Sequence, residues 1–154
     1  MIFRSMMILA WALVLALAFA GRSPAASNRG GIVQGPVAAA VRHVVDGDTL
    51  VIRARIWLGQ TVETKVRIAG IDAPERRARC RRERDLARQA TARLRSLLAG
   101  GAALLRDVRY GKFAGRVLAR VETPEGRDVG AVLVGEGLAR PYRGGRRRGW
   151  CAPE

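Results

Sequence analysis

The sequence predicts a mainly β fold of the α+β class: a five-stranded Greek-key barrel of the OB type, with a helix after strand 3 and a short helix after strand 5. Three observations support it. Short segments alternate apolar and polar residues and are separated by turns with glycine or proline. One longer segment changes to the three- and four-residue spacing of an amphipathic helix. The length, 154 residues, suits one domain.

The first 26 residues are set apart from this domain. Residues 1–4 are short and positive, and the apolar run MMILAWALVLALAFA at 6–20 is followed by small and polar residues. This pattern is typical of a secretory signal peptide, cleaved near Ala20 or Ala26. The alternative is an uncleaved membrane anchor, although a span needs about 20 apolar residues. We therefore expect an exported chain, periplasmic or secreted, which stays membrane-anchored if the segment is not cleaved.

The domain begins after a flexible lead-in predicted at 27–37, SNRGGIVQGPV, which is rich in glycine. Residues 38–154 form the folded domain with a short basic tail. The first two strands are predicted at 41–45 and 49–57, joined by a turn at Asp46-Gly47. Asp-Gly between β-branched runs is a strong hairpin signal because glycine accepts a positive φ. Taken alone, this stretch favours a plain turn over a functional role for its aspartates.

The later elements follow from the changes of period. A third strand alternates apolar and polar residues until the string AGIDAPE breaks the pattern. Leucines and alanines then recur at helical spacing until a glycine pair ends the helix. The predicted elements are a third strand at 61–68, a helix from about Arg81 to Leu98, strands at 102–108 and 116–121, and a short helix at 129–136.

The charge of the chain indicates a polyanionic partner. The formal net charge is +15 at pH 7, and Lys65 and Lys112 are the only lysines among 28 basic residues. Arginine offers bidentate donors that match phosphate groups. Nucleic acid is the leading candidate partner. An anionic membrane surface or a cell-envelope polymer is the alternative, and charge alone does not separate the two.

Two cysteines, Cys80 and Cys151, are an even number in an exported chain, which invites a disulfide. Such a bond would close a long loop and add about 4 kcal/mol in the chain-entropy model. Two cysteines and the single histidine, His43, do not form a zinc-binding set.

Five polar residues at predicted strand ends have side chains suited to one chemistry. Carboxylates provide the hard oxygen ligands that Ca²⁺ or Mg²⁺ prefers. Two arginines suit a phosphoryl group whose charge builds during displacement, and one more carboxylate can position or deprotonate a water. The five residues are Asp48, Arg67, Asp72, Glu75 and Arg116.

The strings VVDGDTLVIR, VRIAGIDAPE and GRVLARV, in this order and with a helix between the last two, resemble the staphylococcal nuclease (thermonuclease) family. The string GLARPY also resembles its pattern. The resemblance covers about His43 to Tyr142, most of the chain after the predicted signal peptide. It implies the same five-stranded OB barrel that the strand count predicts independently.

The resemblance implies a metal site that holds Ca²⁺. In DGDT the second aspartate is the family's metal ligand, so Asp48 matches and Asp46 does not. In RIAGIDAPE the second ligand aspartate matches Asp72, and the residue after it, Ala73, provides a backbone carbonyl. Many members have threonine there, but a backbone ligand does not need the hydroxyl. Few protein charges and a water-rich shell imply weak binding.

The same strings imply the catalytic residues. Arg67 and Arg116 match the two arginines, and Glu75 matches the glutamate that orients or activates the attacking water. Many members read Asp-x-Tyr-Gly-Arg before the fifth strand, whereas DVRYGKFAGR offers two registers, one of which puts Lys112 in the place of the arginine. The strand RVLARV favours Arg116.

Two further features differ from the family or stay open. Tyr142 lies where the family places aromatic residues near the base, so stacking and packing under the barrel rim are equally compatible with it. The long C-terminal helix of the staphylococcal enzyme is missing after Cys151. A Cys80–Cys151 disulfide would stabilise this shortened end.

The resemblance thus implies a Ca²⁺-dependent endonuclease that hydrolyses DNA, RNA or both with little sequence specificity and leaves 3′-phosphates. We expect a monomer with no protein partner and only transient membrane contact through the signal peptide. One alternative is a nucleic-acid-binding OB module without catalysis, which would have no need for all five polar residues. Another is an envelope protein that uses its basic surface on membrane or polymer.

Overall fold

The computed structural model of the chain describes residues 31–112 and 115–151. The predicted signal peptide lies outside these residues. The elements in chain order are β1 Val37–Val44, β2 Thr49–Trp57, β3 Gln60–Ile68, β4 Ile71–Asp72, α1 Arg81–Leu97, β5 Ala102–Tyr110, β6 Arg116–Glu122, α2 Val129–Gly135 and β7 Arg140–Pro141. In this part of the chain, no helix is long and apolar enough to cross a membrane.

Five strands close into a barrel in the order β1-β2-β3-β6-β5. Neighbouring strands are antiparallel except β3 and β6, which run parallel, and β5 closes the ring on β1. The predicted five-stranded barrel with two helices is confirmed. Its interior is filled by inward-facing residues of the alternating strands, such as Leu50, Ile52, Val66 and Ile68, each at most 1% exposed.

The hairpin of β2 and β3 extends beyond the barrel. The β1 register ends opposite Ala54, and β6 pairs with β3 only from Lys65 onward. Ile56 and Val62, which period two assigns to the buried face, are therefore 56% and 40% exposed. Alternation identifies a face of a strand, but a neighbouring strand must cover that face before it is buried.

Three features differ from the predicted elements. Strand β1 begins at Val37, four residues before its predicted start, because Val37 to Ala40 pair with β5. Part of the lead-in at 27–37 is bound to the barrel, because Val33 and Val108 exchange two 2.8 Å backbone hydrogen bonds. A second, two-stranded sheet joins β4 to β7, with Asp72 opposite Arg140. Strands of two residues have no visible period, so the sequence pattern does not reveal them.

Candidate active site

The loop between β1 and β2 is built around Asp46. The amides of Val45 and Asp46 both donate to the carbonyl of Thr49, at 2.9 and 3.2 Å. The Asp46 carboxylate accepts from the amide of Asp48 at 3.1 Å, a local side-chain bond that stabilises turns. Asp46 therefore shapes the loop, and Asp48 is left to project from it.

Gly47 is required in this loop for a different reason from the predicted positive φ, which it does not adopt. A Cβ at Gly47 would lie 2.8 Å from the Cβ of Ala90 in α1 and 3.0 Å from the Cβ of Ala73. The loop thus packs so closely on the helix and on the segment after β4 that only glycine fits.

Asp48 is 3% exposed and accepts three hydrogen bonds. Arg67 Nη1 and Thr49 Oγ1 donate to its Oδ1 at 2.6 and 2.8 Å, and the Ala73 amide donates to its Oδ2 at 3.3 Å. Burial raises the pKa of Asp48 to about 6 from its usual 3.8, against the opposing effect of Arg67. The surrounding groups therefore leave its negative charge incompletely stabilised.

Asp72 is the second buried carboxylate, also 3% exposed. Its Oδ2 accepts from Arg140 Nε and Nη2 at 3.2 and 3.1 Å and from Trp150 Nε1 at 3.4 Å. Its Oδ1 lies 3.9 Å from Arg67 Nη2. Both this oxygen and this nitrogen are buried without a hydrogen bond. The site therefore contains an unsatisfied hydrogen-bond acceptor and an unsatisfied donor.

Glu75 lies at the edge of the same cluster. Its amide donates to Glu83 Oε1 at 3.2 Å, and its exposed carboxylate accepts from Arg147 Nη1 at 2.5 Å. Arg147 Nε also lies 3.2 Å from Asp72 Oδ1, an ion pair without hydrogen-bond geometry. Burial lowers the pKa of Arg147, but Asp72 and Glu75 outweigh it and raise the pKa above its ordinary value.

Arg116 is the first residue of β6 and lies opposite Lys65 in the parallel β3–β6 register. Two residues later, Leu118 lies opposite Arg67. Because side chains alternate along a strand, Arg116 and Arg67 project from the same outer face of the barrel on neighbouring strands. Lys112 is exposed in the connection between β5 and β6, outside this ladder.

A shallow pocket of about 380 Å³ adjoins this face and is lined by Arg67, Leu118 and Tyr142, among others. The Tyr142 amide donates to the Gly70 carbonyl at 2.8 Å, and its hydroxyl donates to the Gly145 carbonyl at 2.7 Å. Tyr142 is thus fixed at the rim of a pocket that contains a predicted catalytic arginine.

A disulfide joins Cys80, directly before α1, to Cys151, with Cα atoms 5.9 Å apart. The bond brings Cys151 to the start of the helix that packs beside the loop of Asp48. Glu83 lies close to both sulfurs, but this group is no cation site because the sulfurs are bonded to each other.

Comparison with known proteins decides the family. The family model described as Staphylococcal nuclease homologue matches residues 65–149. The chain belongs to this family. The predicted membership is therefore confirmed over a range that includes Arg67, Asp72, Glu75, Arg116 and Tyr142, while Asp48 precedes it.

The chain is also similar to two proteins described as "Uncharacterized endonuclease", from Escherichia coli and from Escherichia coli O157:H7. Each is 29% identical to this chain over 102 residues, which cover 66% of this chain. The match spans 59% of the length of each relative.

The donor set of this family member fits a hard cation. The Asp48 and Asp72 carboxylates and the Ala73 backbone provide oxygens, the ligand type that Ca²⁺ prefers. A buried oxygen without a hydrogen bond, Asp72 Oδ1, and a buried carboxylate with a raised pKa, Asp48, both indicate negative charge that a cation would neutralise.

Sequence reasoning missed four residues of the site: Glu83, Arg140, Arg147 and Trp150. The sequence marks the tail RPYRGGRRRGWC as a basic, irregular segment whose run at 146–148 is either solvated or part of a phosphate-binding surface, and it gives no sign of a contact with the carboxylates. The signal that would have found three of them is the pair of cysteines, because a bond from Cys151 to Cys80 brings this tail back to the loop after β4.

Proposed function

We propose that this chain is a Ca²⁺-dependent phosphodiesterase that cleaves DNA, RNA or both with little sequence specificity. The observation that carries the proposal is the buried contact of Arg67 with Asp48 and Asp72 on the outer face of an arginine-rich barrel. Taking two carboxylates and a guanidinium out of water is costly even when they are paired, and clusters of this kind concentrate at functional sites. Family membership and two relatives described as endonucleases support the same activity.

Asp48, Asp72 and the Ala73 carbonyl would hold the Ca²⁺ ion. When bound, the ion supplies Lewis-acid polarisation of the scissile phosphate. Its affinity is expected to be weak, because two carboxylates provide few charges and waters complete the shell.

Arg67 and Arg116 would donate hydrogen bonds to the phosphate oxygens, whose negative charge increases in the transition state. Glu75 would orient a water or accept its proton. Tyr142, at the rim of the adjoining pocket, would stack on a base of the nucleic acid. Stacking on an aromatic ring accepts any base, so it adds little sequence specificity. By resemblance, the products would carry 3′-phosphates and 5′-hydroxyls.

The test is to incubate the purified chain with plasmid DNA and with RNA, in Ca²⁺ or in chelator. We expect cleavage only with Ca²⁺, and loss of cleavage in Asp48→Asn and Asp72→Asn. Glu125→Gln, in the exposed turn after β6, is the matched control and should stay active. Nucleic acid that is bound but never cut at any Ca²⁺ concentration would favour the binding module.

We also propose export as part of this function. The apolar segment at 6–20 and the disulfide support it, since disulfides persist in oxidising compartments. Fractionation of expressing cells should recover the chain outside the cytoplasm, with Cys80 and Cys151 protected from thiol reagents. Recovery from the cytoplasm with two free thiols would contradict this part.

A further inference from the structure

Residues 140–151, called the tail below, cross the candidate site. The tail begins in β7, next to β4, and ends at the disulfide. The Arg140 guanidinium donates a hydrogen bond to the Asp72 carboxylate. It also donates to the backbone carbonyls of Arg148 and Gly149, so the end of the tail folds back onto the first residue of the tail. The Arg140 guanidinium lies 4.2 Å from the centre of the Trp150 ring.

The tail places Arg147 where a metal ion would act. Arg147 Nε lies 3.2 Å from Asp72 Oδ1, the buried oxygen without a hydrogen bond that a cation would use. Its Nη1 lies 2.5 Å from Glu75 Oε1, the carboxylate proposed to handle the attacking water. One guanidinium therefore contacts a proposed metal ligand and the proposed base together.

Arg147 is one of three guanidiniums found in contact with the carboxylates of the site. The carboxylates of Asp48, Asp72 and Glu75 are contacted by three guanidiniums, those of Arg67, Arg140 and Arg147. Arg67 and Arg140 are held by buried contacts, whereas the Arg147 side chain is 39% exposed. Arg147 is thus the guanidinium that can leave into water at the smallest cost.

We propose that Arg147 is a tethered cation that competes with the metal ion for Asp72 and Glu75, and that the Cys80–Cys151 disulfide holds it there. This inference rests on the proposed function. The disulfide matters because Arg147 lies only four residues before Cys151, while Gly144 and Gly145, both at positive φ, form a bend on its other side. Opening the disulfide would remove the covalent anchor and leave Arg147 held by this bend and by the contacts of Arg140 with Arg148, Gly149 and Trp150.

The first test measures Ca²⁺ binding to the full chain by calorimetry, without substrate. Arg147→Gln should lower the Ca²⁺ dissociation constant about tenfold, because a unit charge close to a divalent ion is removed. Arg147→Lys keeps the charge and should stay near the wild-type value. Arg146→Gln removes the same charge one residue away, where no contact with Asp72 or Glu75 is found in the described part of the chain, and should change the constant less than about threefold.

The second test opens the disulfide. A dithiol reduces the bond with two electrons and two protons, leaving two cysteine thiols and a cyclic disulfide in the reductant. Reduction, or the Cys80→Ser/Cys151→Ser variant, should tighten Ca²⁺ binding of the wild-type chain but add little to Arg147→Gln, since both changes remove the same competitor. Urea unfolding identifies any variant that no longer folds, and Arg147→Gln tests the inference without touching the disulfide.

The outcomes separate this inference from the proposed function. Tighter binding by Arg147→Gln in a chain that cuts no nucleic acid supports the competing cation and contradicts the nuclease. Unchanged or weaker binding by Arg147→Gln in an active nuclease overturns the competing cation alone. Equal effects of Arg146→Gln and Arg147→Gln also overturn it, because they indicate a general charge effect. Absence of Ca²⁺ binding in every variant overturns both.

Discussion

Two aspartates one residue apart have opposite environments in this chain. Asp46 accepts from the Asp48 amide in the loop, and Asp48 is buried against Arg67. Asp46→Ala should therefore lower the free energy of unfolding by about 1 kcal/mol through loss of the turn bond, with most activity kept. Asp48→Asn should lower Ca²⁺-dependent cleavage at least about 100-fold. Denaturant unfolding and plasmid cleavage test the pair, and reversed effects would contradict the assignment.

The raised pKa of Asp48 predicts a pH-dependent stability of the metal-free chain. The folded state holds the Asp48 proton up to about pH 6 and the unfolded state only to about 3.8. The folded state therefore binds more protons between these values, and the contribution of Asp48 to stability falls as pH rises, by up to about 3 kcal/mol. Urea unfolding of chelator-treated wild type and Asp48→Asn should show that the wild-type advantage shrinks from pH 4 to pH 7. A constant difference would contradict the shift.

The two arginines of the outer face predict a contrast with Lys112. Loss of one donor to a transition-state oxyanion lowers rates by roughly 10²–10³-fold in comparable sites. Arg67→Ala and Arg116→Ala should each fall in this range, whereas Lys112→Ala, in the exposed β5–β6 connection, should stay near wild type. Single-turnover cleavage measures the three rates. A larger loss of cleavage rate for Lys112→Ala than for Arg116→Ala would show that Lys112, and not Arg116, matches the second arginine of the family.

At the scale of elements, α1 positions the site through its contact with Gly47. Gly47→Ala would force a methyl group to 2.8 Å from the Cβ of Ala90 and should destabilise the fold by about 1–3 kcal/mol. Ala90→Gly removes the methyl group that the new side chain would contact. The double variant should therefore be more stable than the sum of the two single-variant losses predicts. A double-mutant cycle of unfolding free energies measures the coupling, and strictly additive effects would show that the loop does not rest on the helix.

Most of the barrel strands and both helices could be predicted from the sequence, and the two-residue strands could not. Alternation predicts strand β6 to within one residue of its observed end, and helical spacing predicts α1. The two-residue strands β4 and β7 are set by a tertiary contact, Asp72 opposite Arg140, which leaves no local pattern. Arg67 shows the same limit: it lies on the polar face of its strand, which predicts exposure, yet it is 8% exposed and contacts the carboxylates of Asp48 and Asp72.

At the scale of the whole molecule, the order of the family-like strings along the chain carries more information than any one of them. The string DGD alone predicts a turn. A functional role for its second aspartate is predicted only together with RIAGIDAPE and GRVLARV. The pairing of β2 with β3 and of β3 with β6 brings these three strings together in the barrel. These strings do not predict where the tail lies. Its approach to Asp72 depends on a disulfide and on Arg140, a connection across 68 residues of sequence.

The net charge of the molecule predicts how it binds nucleic acid. With 28 basic and 13 acidic residues, binding should be dominated by release of counterions from phosphates. A footprint of about five phosphates on duplex DNA would lower affinity roughly 500-fold between 50 and 200 mM salt. Fluorescence anisotropy in chelator, which prevents cleavage, measures this slope, and duplexes of unrelated sequence should bind within about threefold of each other. Affinity that depends on sequence but hardly on salt would contradict a phosphate-directed surface.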